Sequence, residues 1–159
     1  MPSLLLFAPC ERVALDQKDN SPSLINVFQG FNVTLLEHSP EAPIPGDAVL
    51  VTGKALPFRW VVFALWRKVA SDEGKSFEQI CELISPSGRE SFTAKLAFKM
   101  EHSFHRICVN VARFPIDENG EYSLKLYLRE SEGQAQLQAT YQISVTQIAG
   151  DEDESTPNN

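Results

Sequence analysis

The sequence predicts an all-β protein, an antiparallel two-sheet β-sandwich of about eight strands. Three observations predict it. Apolar residues recur with a period of two rather than 3.6. The connections between the alternating runs are short and rich in turn residues. No segment carries the apolar stripe of an amphipathic helix. A chain of 159 residues is long enough to bury one sizeable core. It reads as a single domain over residues 1–149 with an acidic, disordered tail at 150–159.

The first strand is expected at 3–15. Its opening, with Leu4, Leu5, Leu6 and Phe7 ahead of Cys10, faintly resembles a lipoprotein signal. No basic residue precedes it, and its apolar run falls short of the roughly 7–15 residues of a signal core. Pro9 also stands where a small residue should precede the cysteine. The second span, 24–36, sets Ile25, Val27, Phe31, Val33 and Leu35 on one face, and its interruption at Gln29-Gly30 reads as a bulge. Residues 37–57 hold four prolines and a short apolar run, Ala48-Val49-Leu50-Val51, a candidate extra edge strand. The span 58–69 is apolar on both faces between Trp60 and Trp66, which predicts a central strand covered from both sides.

Downstream the alternation is cleaner. The span 76–84 is a strand for which either face fits the core. In 90–100 the inward set is Phe92, Ala94, Leu96, Phe98 and Met100; in 104–114 it is Ile107, Val109 and Val111. In 121–130 it is Tyr122, Leu124, Leu126 and Leu128. In 135–148 it is Leu137, Ala139, Tyr141, Ile143 and Val145. Pro86-Ser87-Gly88 and Asp117-Glu118-Asn119-Gly120 are turns. The second of these runs into Glu121-Tyr122-Ser123-Leu124, a pattern like a tyrosine corner, which favours an immunoglobulin-like sandwich. Leu124 stands where an antibody domain has its second cysteine, so no disulfide is implied.

A resemblance adds to this reading. Cys10-Glu11 followed by Asp16, then Ser23-Leu24-Ile25-Asn26-Val27-Phe28, form its first part. Ala55-Leu56-Pro57-Phe58-Arg59-Trp60-Val61-Val62-Phe63-Ala64-Leu65-Trp66, Asp72-Glu73-Gly74-Lys75 and Ser85-Pro86-Ser87-Gly88 complete it. Together they resemble a family of small bacterial β-sandwich proteins classed as a domain of unknown function, over about residues 3–148. The resemblance implies the fold and carries no catalytic residues.

Charge and cysteine content narrow the function classes. The net charge is −7, from 14 basic and 21 acidic residues; Asp151, Glu152, Asp153 and Glu154 supply four of the acids. There is no basic stripe, which argues against binding a phosphate backbone. Cys10, Cys81 and Cys108 are odd in number and form no CxxC pair, so free thiols and a cytoplasmic location are expected. No run approaches the roughly 20 apolar residues of a membrane span.

No GxGxxG, P-loop, GxSxG or HExxH motif is present, so the chain is not expected to be an enzyme, and no cofactor is expected. The most reactive run is Glu101-His102-Ser103-Phe104-His105-Arg106-Ile107-Cys108. In an extended chain His102 and Cys108 would share a face about 20 Å apart, at about 3.3 Å per residue. A zinc ion, with ligands about 2 Å away, cannot bridge that. Residues 101–104 are therefore read as a turn, with His105 facing inward and Cys108 outward. Strand alternation also brings the loops at 16–20, 72–73, 101–102 and 130–132 to one end, unless 48–51 forms an intervening strand. Asp16, Asp19, Asp72, Glu73, Glu101 and His102 are the weak metal candidates there, calcium being the ion that suits loop oxygens. Trp60 and Trp66 share a face and could form a ligand platform, but apolar residues on both faces favour a core role. The last strand is rich in Gln and lacks guarding lysines, which makes it a candidate edge for self-association. The expected function is a non-enzymatic module that binds protein. The alternative is a small-molecule, sugar or cation site at one loop end.

Overall fold

Eleven strands in three sheets build the computed structural model, which describes residues 1–34, 54–131 and 133–148. They are β1 (Ser3–Leu15), β2 (Pro22–Val27), β3 (Gly30–Thr34), β4 (Ala55–Leu56), β5 (Trp60–Arg67) and β6 (Ser76–Ile84). Then follow β7 (Glu90–Lys99), β8 (Phe104–Val111), β9 (Phe114–Pro115), β10 (Gly120–Glu130) and β11 (Gln136–Ile148). One four-stranded sheet has the order β2-β1-β5-β8, a five-stranded sheet has β3-β11-β10-β6-β7, and β4 pairs with β9. The chain is all-β, an arrangement consistent with a β-sandwich. Leu35, His38, the run 48–51, Glu132 and the tail from 149 lie outside the described residues.

The inner faces of the two larger sheets form one apolar cluster. Trp60, Val62, Ala64 and Trp66 of β5 meet Phe77, Cys81, Leu83, Phe92, Tyr122 and Leu124 of the five-stranded sheet. Both indoles are therefore core, and each satisfies its N–H. Trp60 donates to the Arg113 carbonyl at 3.0 Å, and Trp66 donates to the buried Gln79 side chain at 2.7 Å. Gln79 in turn donates to the Cys81 sulfur at 3.3 Å, so both its amide oxygen and its amide nitrogen have a partner inside the core. This fixes the face of β6 that the sequence leaves open: Phe77, Gln79, Cys81 and Leu83 point inward.

The expected strand at 24–36 is two strands in different sheets. β2 pairs antiparallel with β1, whereas β3 pairs parallel with β11, so the sandwich is not wholly antiparallel. Gln29-Gly30 is a crossing point and not a bulge. Phe28 inserts among Phe31, Phe58 and Trp60, with ring centroids 4.8, 5.6 and 5.5 Å away. Gly30 is required there because a Cβ would lie 2.6 Å from the Ser144 carbonyl oxygen.

β1 changes partners midway. Residues 3–10 pair with β5, and residues 10–15 pair with β2, with the handover at Cys10. Beyond it the β1–β2 hairpin turns back over the outer face of the four-stranded sheet. Its tip, residues 19–22, reaches Leu65, Phe104 and Arg106, and the Arg106 guanidinium donates to the Asn20 carbonyl. The arm thus lies against the face from which Leu65 projects, the face on which Val61 and Phe63 are buried although they point away from the main cluster. Cys10 lies on the same outer face; burial, reinforced by nearby Cys108, pushes its thiol up to about 11.

At the other end, the Tyr122 hydroxyl accepts the Glu118 N–H at 3.2 Å and reaches the Asp117 carboxylate at 3.3 Å. The Glu118 carboxylate accepts the Ser85 hydroxyl at 2.8 Å and the Ser87 N–H at 2.8 Å, tying the β6–β7 turn to the approach of β10.

Phe63→Ala tests the covered outer face. Truncating a fully buried Phe costs about 3–5 kcal/mol, and urea unfolding should show a loss of that size. A loss below about 1 kcal/mol, typical of an exposed strand face, would contradict the cover.

Candidate functional site

One side of the molecule has open strand edges, and strand register builds it. β2 covers β1 only from Cys10 onward, so residues 3–9 have β5 on one side and no strand on the other among the described residues. β3 covers β11 only along 144–148, so among the described residues 136–143 have β10 on one side and no strand on the other. β1 also approaches β11. The Ser144 N–H bonds to the Gln29 carbonyl at 2.8 Å. By strand alternation, Gln142 and Thr140 direct their main-chain N–H and C=O groups the same way, beyond the end of β3.

Side chains around this edge differ from those elsewhere. β11 has no Asp, Glu, Lys or Arg, in a chain where such residues make up 22%. The opposite edge of the same sheet, β7, exposes Glu90, Lys95 and Lys99, the charged guards that discourage strand addition. Leu137 is 55% exposed and Leu5 46%, so the open side is also partly apolar. Leu137 is a correction to the alternation. A register shift opposite Leu126 and Tyr127 sets Ala139 and Leu137 against consecutive residues of β10, and Gln138 takes up the extra position. Leu137 therefore leaves the inner face, on which Ala139, Tyr141, Ile143 and Val145 remain.

Asp16 and Asp19 sit at the tip of the arm and are used locally. Asp16 accepts the Lys18 N–H at 2.7 Å, and Asp19 accepts the N–H and hydroxyl of Ser21 at 2.9 and 2.5 Å. The Ser21 hydroxyl, helped by its N–H, holds the Asp19 carboxyl below its ordinary value. Asp72 is buried, accepting the Val69 N–H at 3.1 Å and lying 3.1 Å from the α-ammonium of Met1. Glu73 pairs with Lys68, whose Nζ also reaches the Glu101 carbonyl at 3.4 Å. His102 is exposed beside them. Glu130, of the fourth loop, pairs with Lys75 at 2.9 Å. Among the described residues, no three His, Cys, Asp or Glu side chains converge as a metal site.

The His-rich run divides between elements. β8 starts at Phe104, as the expected strand 104–114 does, so the turn ends before Phe104, and His105 faces inward and stacks on Phe98 at 4.6 Å and 13°. Cys108 is exposed on the outer face. The sequence reading missed the uncovered edge of β1. Its signal was present in Leu4-Leu5-Leu6-Phe7, an unbroken apolar run that one buried face does not explain. No helix among the described residues is long and apolar enough to cross a membrane. No family model and no curated protein matches this chain.

His105 gives the region a pH dependence. Burial, then the neighbouring His102, depresses its pKa, while Glu101 acts in the opposite sense. The folded state thus holds the imidazole neutral, whereas the unfolded chain binds a proton near pH 6.5. Stability is full above that pH and falls as the pH drops through it toward the folded value. His105→Phe keeps the stack on Phe98 and should flatten the change in melting temperature between about pH 7 and 5. An unchanged pH dependence in the variant would contradict the assignment.

Proposed function

We propose that this protein is a non-enzymatic, protein-binding module on an immunoglobulin-like sandwich, recognising its partner through the open strand edge. The observation that carries the proposal is the uncharged, half-covered β11, with main-chain groups at Thr140 and Gln142 turned outward. An extended segment added there would continue the five-stranded sheet, main-chain bonds giving affinity and flanking side chains selectivity. The immunoglobulin-like reading is supported by the order β11-β10-β6, which matches strands G, F and C, and by β5 beside β8, which matches B and E. Tyr122, reaching back from the start of β10 to Glu118, supports it further. The resemblance to a small bacterial sandwich family belongs to the same proposal. So does a cytoplasmic location, supported by three free thiols and an exposed Cys108.

A second reading rests on a specific cavity. Between the arm and the sheet lies a groove of about 380 Å³ that brings Asp19, Phe104 and Arg106 together. An aromatic ring beside a cation and a carboxylate could hold a small molecule or sugar. The Asp16 and Asp19 turn is where a cation would sit in that reading.

A thermal-shift series separates the two. A ligand at about 100 times its Kd adds roughly 2.7 kcal/mol, a rise of several degrees for a chain of this size. The protein-binding reading predicts an unchanged melting temperature with calcium, simple sugars and nucleotides. A rise of that size with any of them, lost in Arg106→Ala, would favour the groove.

A further inference from the structure

We infer that the occupant of the open edge is a second copy of this chain, joined by antiparallel pairing of β11 with β11 about a two-fold axis near Thr140. The inference rests on the strand-edge reading and names its partner. Charge favours it. Each copy carries −7, so two copies repel wherever their charged surfaces meet. β11 is an uncharged stretch of 13 residues and lets two copies approach without placing like charges opposite each other. Geometry favours it as well. The edge runs over residues 136–143 before β3 begins, about 26 Å at roughly 3.3 Å per residue. That is longer than a typical strand partner needs.

An antiparallel pair of identical strands is self-complementary, so the contact closes as a dimer and does not propagate. Thr140 then faces Thr140, with Gln side chains on either side. The outward face of each strand, Thr140 and Gln142, is exposed and polar. Leu137, 55% exposed on one copy, lies on the rim of the joint sheet, where the partner strand can shelter it. The other edge of the sheet, β7, carries Lys95 and Lys99 and remains outside the assembly.

Sedimentation velocity of the full chain from about 1 μM to about 1 mM tests this. The wild type should shift from monomer to dimer mass across the series, and T140K/Q142K should raise the dimer Kd at least about tenfold by setting lysine opposite lysine at position 140, with the second pair of lysines diagonal to it. Thr140→Pro is the second variant. It removes an outward N–H with no partner within the described chain, and it should also yield monomer. Urea midpoints measured at 1 μM confirm that the variants are folded. A wild type that stays monomeric throughout overturns self-pairing while leaving recognition of another protein standing. Variants that dimerise as tightly as wild type overturn the β11 assignment.

Discussion

β5 is apolar on both faces, and a strand of that kind needs two covers. The inner cover is the five-stranded sheet, against which Trp60, Val62, Ala64 and Trp66 pack. The outer cover has to come from elsewhere in the chain, and the β1–β2 arm supplies it over Val61 and Phe63. Burying a Phe side chain stabilises by roughly 1.5–3 kcal/mol. A main-chain hydrogen bond exchanged for one to water gives only about 0.5–1.5 kcal/mol. Covering β5 therefore outweighs extending a sheet edge. The chain follows that balance: β1 gives up pairing beside β5 at Cys10 and leads the arm away.

The open edge is the consequence. The residues that follow Cys10 go to the outer face and do not run alongside 3–9 of β1 or 136–143 of β11. They return only at Phe28 and Gly30, in time to pair with 144–148. The crossing is held tightly. Phe28 locks into the aromatic group around Trp60, and Gly30 leaves no room for a side chain against Ser144. A longer β3 pairing would pull Phe28 out of that group. The half-covered state of β11 is thus fixed by packing on both sides of it.

Much of the fold was legible because a period of two survives wherever one face is buried and the other wet. β8 and β10 follow it residue by residue, β7 does so from Phe92 on, and the two-faced apolar run of β5 marked it as central. The break at Phe28 to Gly30 was not legible, since a sheet crossing and a bulge leave the same local pattern. Leu137 was misplaced because a one-residue register shift at Gln138 reverses the side chains before it without altering the alternation of letters. The face of β6 could not be chosen because its decisive inward residue is polar: Gln79 is buried to satisfy Trp66. Of the candidate site, the Gln-rich, lysine-free character of the last strand was legible. The uncovered edge of β1 was not, because it depends on where β2 goes. The loop carboxylates looked alike as letters, yet Asp72 is buried and Asp19 is tied to its own turn.

The central claim is that the arm lies on the outer face of the four-stranded sheet and that, among the described residues, 136–143 of β11 are open on one side. Residue-resolved amide hydrogen exchange in dilute solution tests it most directly. The account predicts alternation: the Tyr141 and Ile143 amides, turned toward β10, exchange slowly, while those of Thr140 and Gln142 exchange rapidly. Slow exchange at all four positions in the dilute monomer would mean that the edge is covered from within the chain, and would contradict the account.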